Sequence, residues 1–132
     1  THIALVIDAS DDFGASEVLL EPFALSRSGP IYQGGEVLDQ NPYLPLIAPF
    51  GEHALSEGVR RIALNHPASM SGNGRPVFAF SDDSGAVYDM SLGAGRAVLL
   101  SDPSLLTNLM LPIAGNRALS RRVSSAAAGA PP

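Results

Sequence analysis

The sequence contains no cysteine, no tryptophan and no lysine among its 132 residues. Without cysteine the chain cannot form disulfides, thiolate metal sites or cysteine nucleophiles. All eight of its cationic side chains are arginines, and 13 carboxylates outnumber them, which gives a formal net charge of −5. Nucleic-acid binding needs a clustered basic surface, so this charge balance argues against a nucleic-acid partner.

Long hydrophobic runs are also missing. No apolar run approaches the ~18 to 20 residues that a membrane-spanning helix requires. A hydrophobic content of 45% indicates instead one domain that buries a core. The chain begins with Thr rather than Met, so we expect it to be a piece of a longer protein. We expect a single α/β domain over 1–123, followed by a disordered linker or tail over 124–132.

Short apolar runs separated by turn residues predict an α/β fold with a small mixed sheet and flanking helices. The apolar runs 3–7 and 97–100 are typical of strands covered on both faces, so we expect both in the centre of the sheet. A hairpin is predicted across Gly93-Ala94-Gly95. The remaining elements that we expect are helices over 16–25, 103–110 and 116–123, and strands near 36–38, 60–64 and 76–80.

Polar side chains follow two of the predicted strands, where α/β folds bind ligands. After the first strand come Asp8, Ser10 and Asp12, and after the last come Ser101 and Asp102. Clustered carboxylates can bind a hard cation. The spacing matches no metal-binding loop, however, and acidic loop residues are ordinarily solvated turn formers. We therefore predict no metal and no cofactor at these residues.

The candidate ligand-binding residues are these five together with His53 and Asn108. No Gly-x-Ser-x-Gly motif occurs, so no catalytic residue is predicted. We expect His53 to hydrogen-bond backbone, and His66, before Pro67, to close a strand.

Asp102 has two interpretations, because it precedes Pro103 at the mouth of a helix. Asp at the N-cap and Pro at the first helical position are both preferred for backbone reasons, and we favour a cap. A cap predicts that Asp102→Ala costs about 0.5 to 2 kcal/mol and that Asn or Ser at this position largely restores stability. We expect Asn116 to be a cap as well, whereas Asn108 has no such explanation.

Two segments resemble a known family: "GEVLDQNPYLPLIAPFGEHALSEGVRRIALNHPASM" and "GAGRAVLLSDPSLLTNLMLPIAGNRAL". They are similar to the soluble domain of auxiliary proteins of bacterial ABC transport and gliding-motility systems, and to related membrane-anchored domains of unknown function. The matching motifs are Gly93-Ala94-Gly95-Arg96, Ser101-Asp102-Pro103, Thr107-Asn108 and Asn116, with His53 in an earlier phrase. The resemblance implies a flavodoxin-like or glutamine-amidotransferase-like fold, truncated at its opening strands. It also implies an extracytoplasmic domain tethered by membrane segments outside this chain.

On this basis we expect a non-enzymatic interaction or ligand-sensing domain of a membrane-anchored, transport-associated protein, at the cell surface or in the periplasm. Two alternatives stay open. One is a metal-dependent or acid/base enzyme that uses the clustered Asp and His residues at the carboxyl edge of the sheet, and the other is a purely structural assembly domain. The expected partner is a protein such as a transporter component, and an unpaired sheet edge predicts a homodimer.

Overall fold

The computed structural model describes residues 2–9, 14–30 and 35–129. In these ranges the chain forms eight strands, two α-helices and three 3₁₀ turns. They follow one another in the order β1 (His2–Val6), α1 (Ala15–Leu20), a 3₁₀ turn (Glu21–Phe23), β2 (Leu25–Ser28), β3 (Leu46–Pro49), a 3₁₀ turn (Ala54–Ser56), β4 (Ile62–Ala63), β5 (Ser69–Gly72), β6 (Phe78–Ala79), β7 (Gly85–Leu92), β8 (Gly95–Leu100), a 3₁₀ turn (Pro103–Leu106) and α2 (Asn116–Ala127).

The strands belong to one mixed sheet, which confirms the expected mixed α/β class. Its main path runs β1-β8-β7-β6-β3-β4, while β2 pairs with β5 and β5 pairs with β7. β1 and β8 are parallel, and the other pairs are antiparallel. Since β1 and β8 are parallel, their carboxyl ends meet at one edge of the sheet.

The β7–β8 hairpin is confirmed where the glycine pattern predicted it. Leu92 faces Gly95, so the connection is the two-residue turn Gly93–Ala94. Gly93 has φ 58°, a left-handed conformation that glycine adopts without steric cost. Ala97 to Leu100 are buried at the centre of the sheet, as their continuous apolar run predicted.

The prediction that the run 3–7 is central is wrong, because β1 is an edge strand paired only with β8 among the described strands. The Ile7 N–H donates to the Leu100 carbonyl at 2.8 Å. Because N–H and C=O groups alternate in direction along a strand, those of residues 2, 4 and 6 point to the open edge. An apolar run indicates that both faces of a strand are covered by other parts of the protein. The number of strands that pair with it depends instead on distant segments of the chain.

Two apolar clusters lie on opposite faces of the sheet. Successive residues of β8 alternate between them, with Val98 and Leu100 in one cluster and Ala97 and Leu99 in the other. The first cluster includes Leu105 and the buried face of α2, and the second includes Leu20 of α1, Phe23 and Met70.

The helix α2 buries Leu119, Val123 and Ala126 at helical spacing. It contacts both β1 and β4, the two ends of the main sheet path, so the sheet curls around this helix. Residues 124–127 are helical where the sequence predicted the start of a linker. No helix in the part of the chain that the structure describes is long and apolar enough to cross a membrane.

The two other predicted helices are shorter than expected, and proline explains both differences. α1 ends at Leu20, because Pro22 has no N–H to continue the helix, and Pro22 lies instead within the 3₁₀ turn Glu21–Phe23. After Pro103–Leu106 the chain continues in turns. Pro112 has no N–H to donate to a helix, and the Thr107 hydroxyl donates to the Ser104 carbonyl at 2.7 Å. Strand 36–38 is reduced to a single bridge between Val37 and Pro45.

Asn116 joins α2 to the sheet with a side chain that is fully buried. Its amide oxygen accepts from the Ala63 N–H at 2.8 Å, and its amide nitrogen donates to the carbonyls of Ala63 at 2.9 Å and Met110 at 3.0 Å. The residue is the first of the helix, and Gly115 occupies the cap position. The prediction of a cap is therefore wrong. The Asn116 side chain instead bonds the N–H and the carbonyl of Ala63 in β4, as a neighbouring strand would.

We predict that Asn116→Ala lowers the free energy of unfolding by about 2 to 5 kcal/mol, because it leaves buried backbone groups of Ala63 and Met110 without partners. Asn116→Asp should be similarly damaging, since a carboxylate cannot donate to the two carbonyls. Urea denaturation followed by circular dichroism measures both. The matched control is Arg117→Ala at the next, exposed position, which should change stability by less than about 0.5 kcal/mol. Equal effects at 116 and 117 would contradict this role.

Candidate functional site

A cavity of about 350 Å³ lies where the parallel strands β1 and β8 end. We call it the strand-end pocket. In α/β sheets this edge is where ligands usually bind. The pocket is lined by Asp8, Ala9, Pro30, Asn65, His66, Asp102, Pro103 and Ser104.

Asp102 is the buried carboxylate of this pocket, with 2% of its surface exposed. Its Oδ1 accepts from the Ser104 N–H at 2.9 Å, which makes it the cap of the 3₁₀ turn that begins at Pro103. Its Oδ2 accepts from the Asn65 N–H at 2.7 Å, and the Ser104 hydroxyl lies 2.7 Å from both oxygens. The predicted cap is thus confirmed, and the same carboxylate also links two loops that line the pocket.

Asp8 and Ala9 are held in place by Arg27 of β2. The guanidinium Nη1 donates to the carbonyls of Asp8 at 2.8 Å and Ala9 at 3.0 Å, while Nε pairs with Glu17 of α1 at 2.9 Å. This single side chain fixes the exit from β1 relative to α1. Arg27 could not be singled out from the sequence, because the segment that contains it is predicted to be an irregular connection.

His66 lines the pocket although it was not among the predicted site residues. Its backbone is left-handed, with φ 50°, and its N–H donates to the Tyr43 carbonyl at 2.7 Å. The imidazole stacks on the Tyr43 ring, with centroids 4.6 Å apart and planes 3° from parallel. Its Nδ1 lies 2.6 Å from the Asn65 amide oxygen. The only local signal was a histidine before Pro67 at the end of an apolar run.

His53 does not line the strand-end pocket. Its Nδ1 accepts from the Leu55 N–H at 3.0 Å, as expected of a residue that hydrogen-bonds backbone, and its Nε2 lies 3.1 Å from Asp89 Oδ2. Arg96 binds the same carboxylate through two bonds of 2.7 and 2.9 Å. Both imidazole nitrogens are occupied, so His53 ties its loop to the β7–β8 hairpin.

The remaining predicted residues are dispersed. Ser101 is 1% exposed, its hydroxyl has no hydrogen-bond partner among the described residues, and it does not line the pocket. Asn108 is exposed, in the turns that precede α2. Ser10 and Asp12 lie outside the described residues. Of the predicted set, the structure therefore brings Asp8 and Asp102 together at one pocket.

Three larger hollows lie elsewhere in the described part of the chain. One of about 590 Å³ is lined mainly by the loop 51–58, including the His53 side chain, which is engaged with Leu55 and Asp89. Another, of about 460 Å³, lies between Arg60, Arg61 and the start of α2. The third, of about 420 Å³, is lined by serines, Asp82, Asp83 and Tyr88. Burial raises the pKa of Tyr88, whose hydroxyl donates to the Met70 carbonyl at 3.3 Å.

No group of three or more His, Cys, Asp or Glu side chains within residues 2–9, 14–30 and 35–129 is arranged to hold a metal ion. A scan of the chain against protein-family models gives no match. A search of the curated proteins finds no significant match. The family resemblance described above therefore stays a hypothesis.

The double role of Asp102 changes what its substitutions should do. Asp102→Ala should lower the free energy of unfolding by about 2 to 4 kcal/mol, because the hydrogen bond from the Asn65 N–H is lost in addition to the cap. Asp102→Asn should recover only part of this, because an amide has one accepting oxygen and its NH₂ group must then face one of the two N–H donors. Asp102→Ser should recover less stability than Asp102→Asn.

Thermal and urea unfolding of the parent and the three variants measures this order. Thr107→Ala serves as a control in the same turn, since it removes an exposed side-chain bond to the Ser104 carbonyl and leaves both backbone bonds of the Asp102 carboxylate in place. An Asn variant as stable as the parent would show that the bond to Asn65 contributes nothing.

Proposed function

We propose that this chain is a non-catalytic ligand-sensing domain whose ligand site is the strand-end pocket. In the full protein it would serve a membrane-anchored, transport-associated assembly outside the cytoplasm. The proposal takes the fold as a truncated flavodoxin-like sheet, in which the carboxyl edge of the parallel strands carries the ligand.

The observation that carries the proposal is that the Asp102 carboxylate is buried and already engaged by three donors within the fold. Both of its oxygens accept backbone N–H groups, and the Ser104 hydroxyl lies within hydrogen-bond distance of each. A general base needs an oxygen free to take a proton from the substrate, and a metal ligand needs a free lone pair directed at the ion. A carboxylate engaged in this way supports a pocket of fixed shape rather than a reactive group.

The occupied nitrogens of His53 support the same conclusion. An acid/base enzyme built on Asp8, Asp12, His53 and Asp102 would need these groups to converge on one cleft. His53 instead bonds Leu55 and Asp89, away from the residues that line the pocket. The extracytoplasmic and transport-associated parts of the proposal rest on the family resemblance alone.

A ligand screen tests the proposed function. We expect at least one class among amines, sugars, nucleotides, carboxylates and metal ions to shift the amide NMR signals of Ala9, Asn65, His66 and Ser104 in a saturable way. Because the site is non-catalytic, the ligand should be recovered unchanged after incubation. Saturable binding that perturbs other residues, no binding by any class, or a product of turnover would each contradict the proposal.

The open edge of β1 is the surface that we propose for association with a second copy. Its outward N–H and C=O groups belong to residues 2, 4 and 6, so an antiparallel pair centred on Ala4 would match residue 2 of one copy with residue 6 of the other. The strand carries no proline, bulge or acidic side chain of the kind that protects an edge.

We predict that Ala4→Pro abolishes this dimer and leaves the monomer folded, because the Ala4 N–H points outward and proline is tolerated on an open edge. Leu5→Pro is the matched control, since the Leu5 N–H points toward β8 and its loss should unfold the strand pairing. Sedimentation velocity over a range of concentrations, with circular dichroism for folding, separates these outcomes. A parent chain that is monomeric throughout would contradict the prediction.

A further inference from the structure

His66 is one of the residues that line the strand-end pocket, and its contacts with Tyr43 and Asn65 hold the ring in place. The Tyr43 ring covers one face, and the Tyr43 carbonyl holds the His66 N–H at 2.7 Å. A left-handed backbone at a residue other than glycine is unfavourable unless its surroundings hold it there. The ring is therefore pre-positioned at the pocket wall before any ligand arrives.

The neighbouring amide decides which ring nitrogen is the acceptor. The Asn65 side-chain oxygen, 2.6 Å from His66 Nδ1, can only accept, so Nδ1 carries the proton in the neutral ring. Nε2 then has a free lone pair. The backbone N–H of Asn65 donates in turn to Asp102 Oδ2, so the residue that sets the His66 tautomer is itself held by the buried carboxylate. The pocket thus offers an aromatic nitrogen that accepts a hydrogen bond.

The charge around the pocket favours a cation. Among the described residues, the carboxylates of Asp8, Glu17 and Asp102 lie in or beside the pocket wall against one guanidinium, that of Arg27, and their formal charges sum to −2. No arginine is among the lining residues in the described part of the chain. The other walls are the apolar surfaces of Ala9, Pro30 and Pro103.

We infer that the strand-end pocket binds a small protonated amine, which donates an N–H to His66 Nε2 while its carbon chain lies against Ala9, Pro30 and Pro103. This inference rests on the proposed function and names the ligand class for the same site. At ~30 Å³ for each water-sized group, the cavity has room for on the order of ten non-hydrogen atoms. Simple alkylamines are therefore suitable probes.

Four probes that carry a short alkyl chain separate charge from hydrogen bonding: butylammonium, butyltrimethylammonium, 1-butanol and butyrate. Amide and imidazole NMR signals are followed during titration at a fixed pH of about 8. Butylammonium should shift the His66 ring nitrogens and bind at least about tenfold more tightly than butyltrimethylammonium, which has the charge but no N–H donor. Butanol, which lacks the charge, should be weaker than butylammonium, and butyrate should be weakest.

Equal binding of butyltrimethylammonium would overturn the role of His66, and preference for butanol or butyrate would overturn the amine class. If none of the four binds but another class in the wider screen reaches the pocket, this inference fails and the proposed function stands. If no class reaches the pocket, both fail.

His66→Phe provides the matched variant, because phenylalanine keeps a ring on Tyr43 and removes both nitrogens. It should weaken butylammonium about tenfold and leave butyltrimethylammonium unchanged. Unchanged butylammonium binding by the folded variant would overturn the inference. If the variant does not fold, the titrations of the parent protein decide the question without it.

Discussion

Asp102 is buried, and its two carboxylate oxygens accept backbone N–H groups from Ser104, two positions later, and from Asn65, 37 positions earlier in the chain. One oxygen fixes the turn that follows β8, and the other fixes the loop that carries Asn65. The shape of the strand-end pocket depends on this arrangement, because both of those segments form its walls. A buried charge of this kind is tolerated only when hydrogen-bond donors surround it. An incomplete network around Asp102 would therefore strongly destabilise the folded state.

Other polar side chains connect irregular segments to the sheet in the same way. Asn116 holds the start of α2 beside Ala63, Arg27 holds the carbonyls that follow β1, and His53 joins its loop to Asp89. The chain has 11 prolines and 13 glycines, and two of the described strands, β4 and β6, contain only two residues each. Backbone groups outside long ladders still need partners when they are buried. Polar side chains that look reactive in the sequence supply those partners here.

What could be predicted from the sequence was local. The Gly93–Ala94 turn and the cap at Asp102 follow from residues within a few positions of each other, and the structure confirms both. The edge position of β1 could not be predicted, since it depends on which distant strands pair with it. For the pocket, the sequence identified Asp8 and Asp102. It missed His66, whose contact with Tyr43 spans 23 positions, and Arg27, whose contact with Asp8 spans 19.

The contacts that hold His66 in place favour ligand binding by the small strand-end pocket. Association always costs translational and rotational freedom, and ordering of flexible side chains adds to that cost. Here the imidazole is already fixed by its backbone bond, by the stack on Tyr43 and by the amide of Asn65. Little further ordering is needed when a donor reaches Nε2. A few contacts can then produce measurable binding, whereas the same contacts on a flexible loop would be offset by the entropy lost in forming them.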